Sequence, residues 1–205
     1  MSTTSSPRSQ ISAVILAGGR ATRMGGVDKG LIEVRGRPMV EHVIAALRQQ
    51  AADLFINANR NLDAYRQFGY PVLMDMVDGY CGPLAGMASA MRVAKTPWLL
   101  TAPCDSPFVP VDLGARLFQA ITKNNAQIAV ADSGGRLEPV FALIDCSLLP
   151  SLLDYLDSGE RKIDRWYAMH PMVRVDFSDR PETFRNINTP EDVADVERQL
   201  AAVSS

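Results

Sequence analysis

The sequence predicts an α/β fold in which helices cover both faces of a mostly parallel sheet that also contains an antiparallel strand. Short apolar, β-branched runs recur along the 205 residues, and segments with helical periodicity lie between them. Strands that are apolar almost throughout are typical of parallel sheets buried on both faces. The turn sequence Ser133-Gly-Gly-Arg136 lies between two apolar runs and indicates a hairpin, hence one antiparallel strand. We expect a single domain at this length.

Six segments are predicted as strands because they are short, apolar and rich in β-branched residues. These strands are Ser12–Leu16, Leu54–Asn57, Val72–Met74, Trp98–Thr101, Ile128–Ala131 and Pro139–Ile144.

Helices are predicted between these strands. Val40–Gln49 carries apolar residues at positions 40, 43, 44 and 47, which lie on one face of a helix. Segments 83–94 and 111–123 show the same pattern. Pro83 and Pro110 are each predicted as a first helical residue, where the missing N–H group costs no hydrogen bond.

The last quarter of the chain continues the alternation. Leu148–Leu156 is predicted as a helix and Met172–Phe177 as a strand. A final helix begins after Thr189, which is the expected N-cap, with Pro190 as its first residue.

Composition and charge exclude several classes of protein. Lys and Arg number 21 against 23 Asp and Glu, for a formal net charge of −2, so the overall surface does not favour nucleic acid or anionic lipid. The apolar stretch Ile11–Ala17 is too short for a signal sequence or a membrane span. Residues 1–10 are predicted to be a disordered leader. Three scattered cysteines, without CxxC spacing, favour a reducing, cytoplasmic location over a disulfide framework or a zinc site.

The most informative segment runs from Leu16 to Lys29, where a predicted buried strand opens directly into a loop with four glycines. Glycine lets the backbone approach an anion closely, and Arg20, Arg23 and Lys29 add three positive charges. The segment lacks the GxxxxGK[ST] and GxGxxG patterns, so it is neither a Walker loop nor a dinucleotide-binding turn. It predicts a site for a nucleoside triphosphate, with an ordinary exposed glycine loop as the alternative.

A second candidate site residue follows the strand at 98–101. Asp105 lies in Pro103-Cys-Asp-Ser-Pro107, just beyond the carboxyl end of that strand. Open α/β sheets bind their ligands at this edge, and a carboxylate there can hold Mg²⁺ against nucleotide phosphates. A turn-forming aspartate is the alternative.

The run Leu16-Ala-Gly-Gly-Arg-Ala-Thr-Arg-Met-Gly-Gly-Val-Asp-Lys29 resembles the signature loop of the sugar-nucleotidyltransferase-like superfamily, and in detail that of the MobA family of molybdenum cofactor guanylyltransferases. Four further blocks resemble family blocks in family order, and the resemblance covers roughly residues 11–198. These blocks are Phe55-Ile-Asn-Ala-Asn-Arg60, Gly82-Pro-Leu-Ala-Gly86, Pro103–Pro107 and Asn186-Ile-Asn-Thr-Pro-Glu-Asp192. The resemblance implies a single-domain, three-layer, Rossmann-like nucleotidyltransferase fold.

The resemblance also implies roles for particular residues. Asp105 is expected to bind Mg²⁺, and with Lys29 and Arg23 to form the catalytic group. Asn186 and Asn188 are expected on the side of the pterin cofactor. The remaining nucleotide-binding residues are expected to be Leu16, Ala17, Gly18, Gly19, Asn57, Asp75 and Gly82.

The implied reaction transfers GMP from GTP to the terminal phosphate of molybdopterin and releases pyrophosphate. The N-terminal half of the domain would bind GTP and the C-terminal half the pterin cofactor. Gly18 favours GTP, because the cytidylyl relatives tend to have alanine at this position. The alternatives are a molybdopterin cytidylyltransferase or another nucleotidyltransferase, and a non-catalytic carrier of the molybdenum cofactor. Transient contact with molybdoenzymes or cofactor maturation proteins, and a monomeric state, are further expectations.

Overall fold

The computed structural model describes residues 7–18, 28–76 and 82–203 of the chain. Nine strands and seven α-helices lie within these ranges. The strands are β1 Ile11–Leu16, β2 Glu33–Val34, β3 Arg37–Pro38, β4 Asp53–Asn57, β5 Val72–Leu73, β6 Trp98–Pro103, β7 Ile128–Asp132, β8 Leu137–Asp145 and β9 Met172–Asp176. The helices are α1 Met39–Leu47, α2 Leu62–Arg66, α3 Pro83–Val93, α4 Leu113–Asn124, α5 Leu149–Asp157, α6 Ile163–Tyr167 and α7 Pro190–Val203.

Seven strands form one sheet in the order β5-β4-β1-β6-β8-β7-β9. Strand β8 pairs antiparallel with both of its neighbours, and the other strand pairs of this sheet are parallel. The predicted mostly parallel sheet with one antiparallel strand is therefore confirmed. The hairpin at Ser133–Arg136 joins β7 to β8, with Gly134 and Gly135 at positive φ.

The sheet is the middle of three layers. Helices α1 and α4 pack on one face, and helices α3, α5 and α6 pack on the other. Strand β1 alternates between the two sides, since Ile11, Ala13 and Ile15 join the first core whereas Val14 and Leu16 join the second. A strand buried on both faces is apolar at nearly every position, and Ser12, the polar residue of β1, accepts a hydrogen bond from the Thr96 hydroxyl.

The structure corrects two predictions about local elements. Helix α4 begins at Leu113 and not at Pro110, because residues 110–112 form a turn in which the Leu113 N–H donates to the Pro110 carbonyl at 3.2 Å. Residues 7–10, assigned above to a disordered leader, form a 3₁₀ turn whose Arg8 Nε donates to the Ala51 carbonyl at 3.1 Å. Residues 1–6 lie outside the described ranges.

Pro83 is confirmed as the first residue of α3. The two-residue strands β2 and β3 and the short helices α2 and α6 were not predicted, because segments this short carry no clear periodicity. Among the described residues, no helix has the length and apolar character that a membrane span requires.

Candidate active site

The candidate site lies where three parallel strands end together. Leu16, the last residue of β1, pairs with Asn57 of β4 on one side and with Pro103 of β6 on the other. Strand β4 lies on one side of β1 and strand β6 lies on the other, so the strand order reverses at β1. Such a switch point opens a crevice at the carboxyl edge of an open α/β sheet, and ligands bind there.

One group of polar side chains at this edge, the lysine cluster, consists of Lys29, Asp105 and Asn188. The Lys29 ammonium group donates to Asp105 Oδ2 at 3.2 Å and to Asn188 Oδ1 at 2.5 Å. The Lys29 side chain is 24% exposed and that of Asp105 is 16% exposed, so the ion pair is half-buried. Three parts of the chain that are far apart in sequence thus meet at one positive charge.

One oxygen of Asp105 lacks a partner in the part of the chain that the structure describes. Its Oδ1 is buried and has no hydrogen-bond partner among the described residues. A buried carboxylate oxygen without a partner is costly, and a bound cation removes that cost. No group of three or more His, Cys, Asp or Glu residues that could hold a metal ion occurs in the described ranges. This donor set suits an ion such as Mg²⁺, which takes few protein carboxylates and shares its remaining positions with water and phosphate.

The segment 185–188 brings two asparagines against the loop that follows β6. The Ile187 N–H donates to the Asp105 carbonyl at 2.8 Å, and Ser106 Oγ donates to Asn186 Oδ1 at 2.6 Å. Ile187 is buried while Asn186 is exposed, as expected for residues of an extended segment that alternate in direction. Asn186 and Asn188 therefore both lie beside Asp105 and Ser106, where the sequence predicted a second substrate.

A second group, the amide cluster, consists of Asn57, Asn59 and Asp75. Asn57 Nδ2 donates to Asp75 Oδ1 at 2.8 Å, and Asn59 Nδ2 donates to Asp75 Oδ2 at 2.7 Å. The Asp75 N–H returns a bond to Asn59 Oδ1 at 2.9 Å. Each carboxylate oxygen is thus held by one amide, and the orientation of Asp75 is set by both asparagines.

Glycines line the amide cluster. A Cβ atom added to Gly18 would lie 3.0 Å from Asn59 Nδ2 and 3.1 Å from Asn57 Oδ1. Gly82 precedes α3 with φ 68° and ψ −158°, a conformation that L residues avoid. The N-terminus of α3 therefore lies near the cluster, because Gly86 in the same helix packs directly on Asn57.

The structure brings together most of the predicted site residues, whereas Gly19, Arg20 and Arg23 lie outside the described ranges. Asn59 was missed as a site residue, although its spacing of two from Asn57 places both on one side of an extended segment. Ser106 was also missed, since serine before proline is a common turn residue.

Cys104 lies next to Asp105 but is not suited to nucleophilic chemistry. Burial raises the pKa of the Cys104 thiol, and the neighbouring charges of Asp105 and Asp28 raise it further. A thiol with a raised pKa stays protonated near neutral pH and is a poor nucleophile. This geometry agrees with the interpretation of Cys104 as a packing residue.

A family model for the MobA-like NTP transferase domain matches residues 13–173, which is more than half of the chain. This chain belongs to the MobA-like NTP transferase family. The matched range includes β1 from Ala13 onward, the lysine and aspartate of the lysine cluster and the whole amide cluster. Asn186 and Asn188 follow it in sequence.

Curated relatives match the chain almost from end to end. The molybdenum cofactor guanylyltransferase of Shewanella loihica is 50% identical over 192 residues, which cover 94% of this chain and 98% of the relative. The protein of the same name from Shewanella halifaxensis is 51% identical over 182 residues, covering 89% and 91% of the two chains.

Solved structures share the MobA-like fold. Molybdopterin-guanine dinucleotide biosynthesis protein A from Archaeoglobus fulgidus superposes with a TM-score of 0.77 at 21% identity, covering 93% of this chain and 99% of that chain. The 4-diphosphocytidyl-2C-methyl-D-erythritol synthase of Anaerococcus prevotii superposes with a TM-score of 0.69 at 14% identity, over 94% and 96% of the two chains. At these identities the likeness concerns the fold alone.

Proposed function

We propose that this protein transfers GMP from GTP to the terminal phosphate of molybdopterin, forming the guanine dinucleotide form of the cofactor and releasing pyrophosphate. The observation that carries the proposal is the pairing of the lysine cluster and the amide cluster at one sheet edge. One cluster offers charge for a triphosphate, and the other offers fixed hydrogen-bonding groups for a base. The relatives at about half identity bear the name of this activity.

The reaction needs little acid–base chemistry. The attacking group is a phosphate monoester whose second pKa is about 6, so it is largely dianionic at neutral pH. What the protein must supply is alignment and neutralisation of charge, because two anions are brought together and a third leaves. No histidine is therefore required at the site.

Lys29 and Asp105 have complementary tasks. We assign Lys29 to the phosphates of GTP, where its ammonium group would offset the charge of the departing pyrophosphate, and the family resemblance assigns the same role to Arg23. Asp105 would hold Mg²⁺ through Oδ1, which has no protein partner among the described residues. The bound ion would supply further charge neutralisation on the phosphates. Before substrate binds, Asp105 Oδ2 accepts a hydrogen bond from the Lys29 ammonium group at 3.2 Å.

The amide cluster is assigned to the guanine nucleotide, with Asn57 and Asp75 as its contact groups. Asn59 orients Asp75, and Asp75 together with the Leu73 carbonyl orients Asn57, so binding orders few side chains. On the opposite part of the same edge, Asn186 and Asn188 are assigned to the pterin cofactor. Asn186 Oδ1 accepts from Ser106 Oγ, and Asn188 Oδ1 accepts from the Lys29 ammonium group, which supports a position for the acceptor near Asp105.

Gly18 favours the guanylyl reaction over the cytidylyl alternative. An alanine Cβ at this position would lie within 3.0–3.1 Å of both asparagines of the amide cluster. Both asparagines would have to move to make room for the methyl group, and the groups that we assign to guanine would move with them. Glycine at position 18 therefore preserves the arrangement that we assign to guanine.

The test is pyrophosphate release by the purified protein with Mg²⁺ and GTP, CTP, ATP or UTP, with and without molybdopterin as acceptor. We expect release with GTP only, and only when the acceptor is present. Release with CTP would assign the protein to the cytidylyl activity, and nucleotide binding without release would favour the carrier. Asp105→Asn should lower turnover by at least a hundredfold while GTP still binds, because the amide is a weaker ligand for Mg²⁺.

A further inference from the structure

A buried carboxylate lies immediately before Lys29 and has no part in the reaction described so far. Asp28 is only 6% exposed, and it precedes the 3₁₀ turn Lys29–Leu31. The burial of a charged group is costly unless hydrogen bonds compensate for its lost hydration. The surroundings of Asp28 supply these bonds.

Three donors converge on Asp28, and we call the group of Asp28, Gly30, Asn61 and Tyr65 the Asp28 anchor. The Tyr65 hydroxyl donates to Asp28 Oδ1 at 2.5 Å, and the Gly30 N–H donates to the same oxygen at 3.3 Å. Asn61 Nδ2 donates to Oδ2 at 3.1 Å. Both carboxylate oxygens therefore have hydrogen-bond donors. Tyr65 in α2 and Asn61, the N-cap of α2, supply two of them, and Gly30 in the Lys29 turn supplies the third.

The partners of Asp28 are themselves held in place. Tyr65 is fully buried in the core under α1, and burial raises the pKa of its phenol, as do Cys104 and Asp28. The hydroxyl thus remains protonated, and so a donor, at neutral pH. Gly30 packs so closely that a Cβ atom there would lie 2.5 Å from the Tyr65 oxygen. The anchor has little freedom to shift.

We propose that Tyr65 and Asn61 are positioning residues that fix the backbone of Lys29 through Asp28. Lys29 Nζ has to reach Asp105 and Asn188, which lie on other elements, and its long side chain has many rotamers. When phosphate groups bind, the ammonium group exchanges these partners for the ligand. The Asp28 anchor then keeps the Cα atom of Lys29 in place. The test of this role by turnover rests on the proposed function, whereas its test by pyrophosphate binding does not.

Tyr65→Phe is the first test, because it removes the hydroxyl and keeps the buried ring. We expect kcat/KM for GTP to fall about tenfold, since a hydrogen bond to a charged group contributes about this factor or more. The matched control is Tyr167→Phe. Tyr167 is equally buried, and its hydroxyl donates to the Pro139 carbonyl at 2.8 Å on the opposite face of the sheet. The control should lose some stability, because its hydroxyl bond is also removed, and should keep kcat/KM within about twofold.

A double-mutant cycle tests whether Tyr65 acts through Lys29. In a Lys29→Ala background the added Tyr65→Phe change should lower kcat/KM by less than about twofold, because the group it positions is absent. If the fold-decreases in kcat/KM caused by Lys29→Ala and Tyr65→Phe simply multiply in the double variant, the proposal is overturned. Asn61→Gly provides an independent variant. It removes the amide donor and retains the left-handed backbone at position 61, where φ is 49°.

Binding of inorganic pyrophosphate with Mg²⁺, measured by calorimetry, separates this inference from the proposed function. Weaker binding by Tyr65→Phe and Asn61→Gly, but not by Tyr167→Phe, supports the anchor even if the wild-type protein does not use GTP with molybdopterin. Absence of that turnover would contradict the proposed function alone. Equal pyrophosphate affinity and equal kcat/KM in wild type and Tyr65→Phe would overturn the anchor.

Discussion

At the scale of single residues, close packing decides which side chains the site accepts. Gly86 is the clearest case, because a Cβ atom there would overlap Asn57 Oδ1 and would lie 2.7 Å from Asn57 Cγ and 2.8 Å from Leu16 Cδ2. Asn57 cannot retreat freely, since its Nδ2 is bonded to Asp75 and to the Leu73 carbonyl at 3.2 Å. The absence of a side chain at position 86 thus protects the amide cluster.

We therefore expect Gly86→Ala to raise the KM for GTP about tenfold or more and to lower the free energy of unfolding by about 1–3 kcal/mol. Steady-state kinetics and urea unfolding measure the two effects. Gly114→Ala is the control, because Gly114 is also a buried helical glycine and its Cβ atom would approach the Leu100 side chain at 3.2 Å, away from the site. An unchanged KM in Gly86→Ala would contradict the packing argument.

At the scale of elements, the start of α7 orders the segment that carries Asn188. The Asp192 N–H donates to Thr189 Oγ1 at 3.1 Å, which confirms Thr189 as the N-cap. Asp192 Oδ2 in turn accepts from the Asn188 N–H at 2.9 Å and from the Thr189 N–H at 3.0 Å. This reciprocal arrangement is a capping box. It fixes Asn188, whose Oδ1 meets the Lys29 ammonium at 2.5 Å.

Asp192→Ala should lower the free energy of unfolding by about 1 kcal/mol, the usual contribution of a helix cap. It should also lower kcat/KM for the molybdopterin acceptor several-fold, because Asn188 loses its backbone bond. Urea unfolding and acceptor kinetics are the measurements. Glu191→Ala changes an exposed carboxylate of the same helical turn and is the control. Equal acceptor kinetics in the two variants would show that the cap has no influence on the site.

At the scale of the whole molecule, an arginine network joins α4 to the chain that follows β9. Arg116 bonds Asp179 at 3.1 Å and stacks 3.8 Å above the ring of Phe177. Arg180 links the same aspartate to Asp112, with Nε 3.1 Å from Asp179 and Nη2 3.0 Å from Asp112. The network holds the start of the segment that leads on to Asn186 and Asn188.

The network predicts a pH dependence of stability. Hydrogen bonds from Arg116 and then Arg180 lower the pKa of Asp179 to about 2, from an ordinary value of 3.8. The unfolded chain therefore takes up this proton first, and the contribution to stability is present above pH 3.8 and is lost as the pH falls to 2. Asp179→Asn should make the urea midpoint less steeply dependent on pH between these values. An unchanged slope in Asp179→Asn would contradict this prediction.

Local patterns predicted much of the fold and part of the site. The apolar runs gave the strand positions, and the glycine-rich loop and Asp105 were found because each follows a strand directly. The prediction that Pro110 begins a helix was wrong, because a proline also fits the turn before a helix. Only the hydrogen bonds that the Pro110 carbonyl accepts, from Leu113 and Gln50, show that it lies in the turn. The roles of the site residues, the binding of Mg²⁺, the monomeric state and the cytoplasmic location stay predictions.

The sequence by itself determined the alternation of strands and helices, the capping of α7 and the run of glycines and cations after β1. These features depend on residues close together in the chain, where periodicity and turn chemistry act. Only the tertiary structure decided which groups meet: Lys29 with Asn188 across 159 positions, and Asp28 with Tyr65 across 37. The strand order at the switch point creates these contacts, because pairing between distant strands and the closure of buried hydrogen bonds depend on the packing of the whole chain.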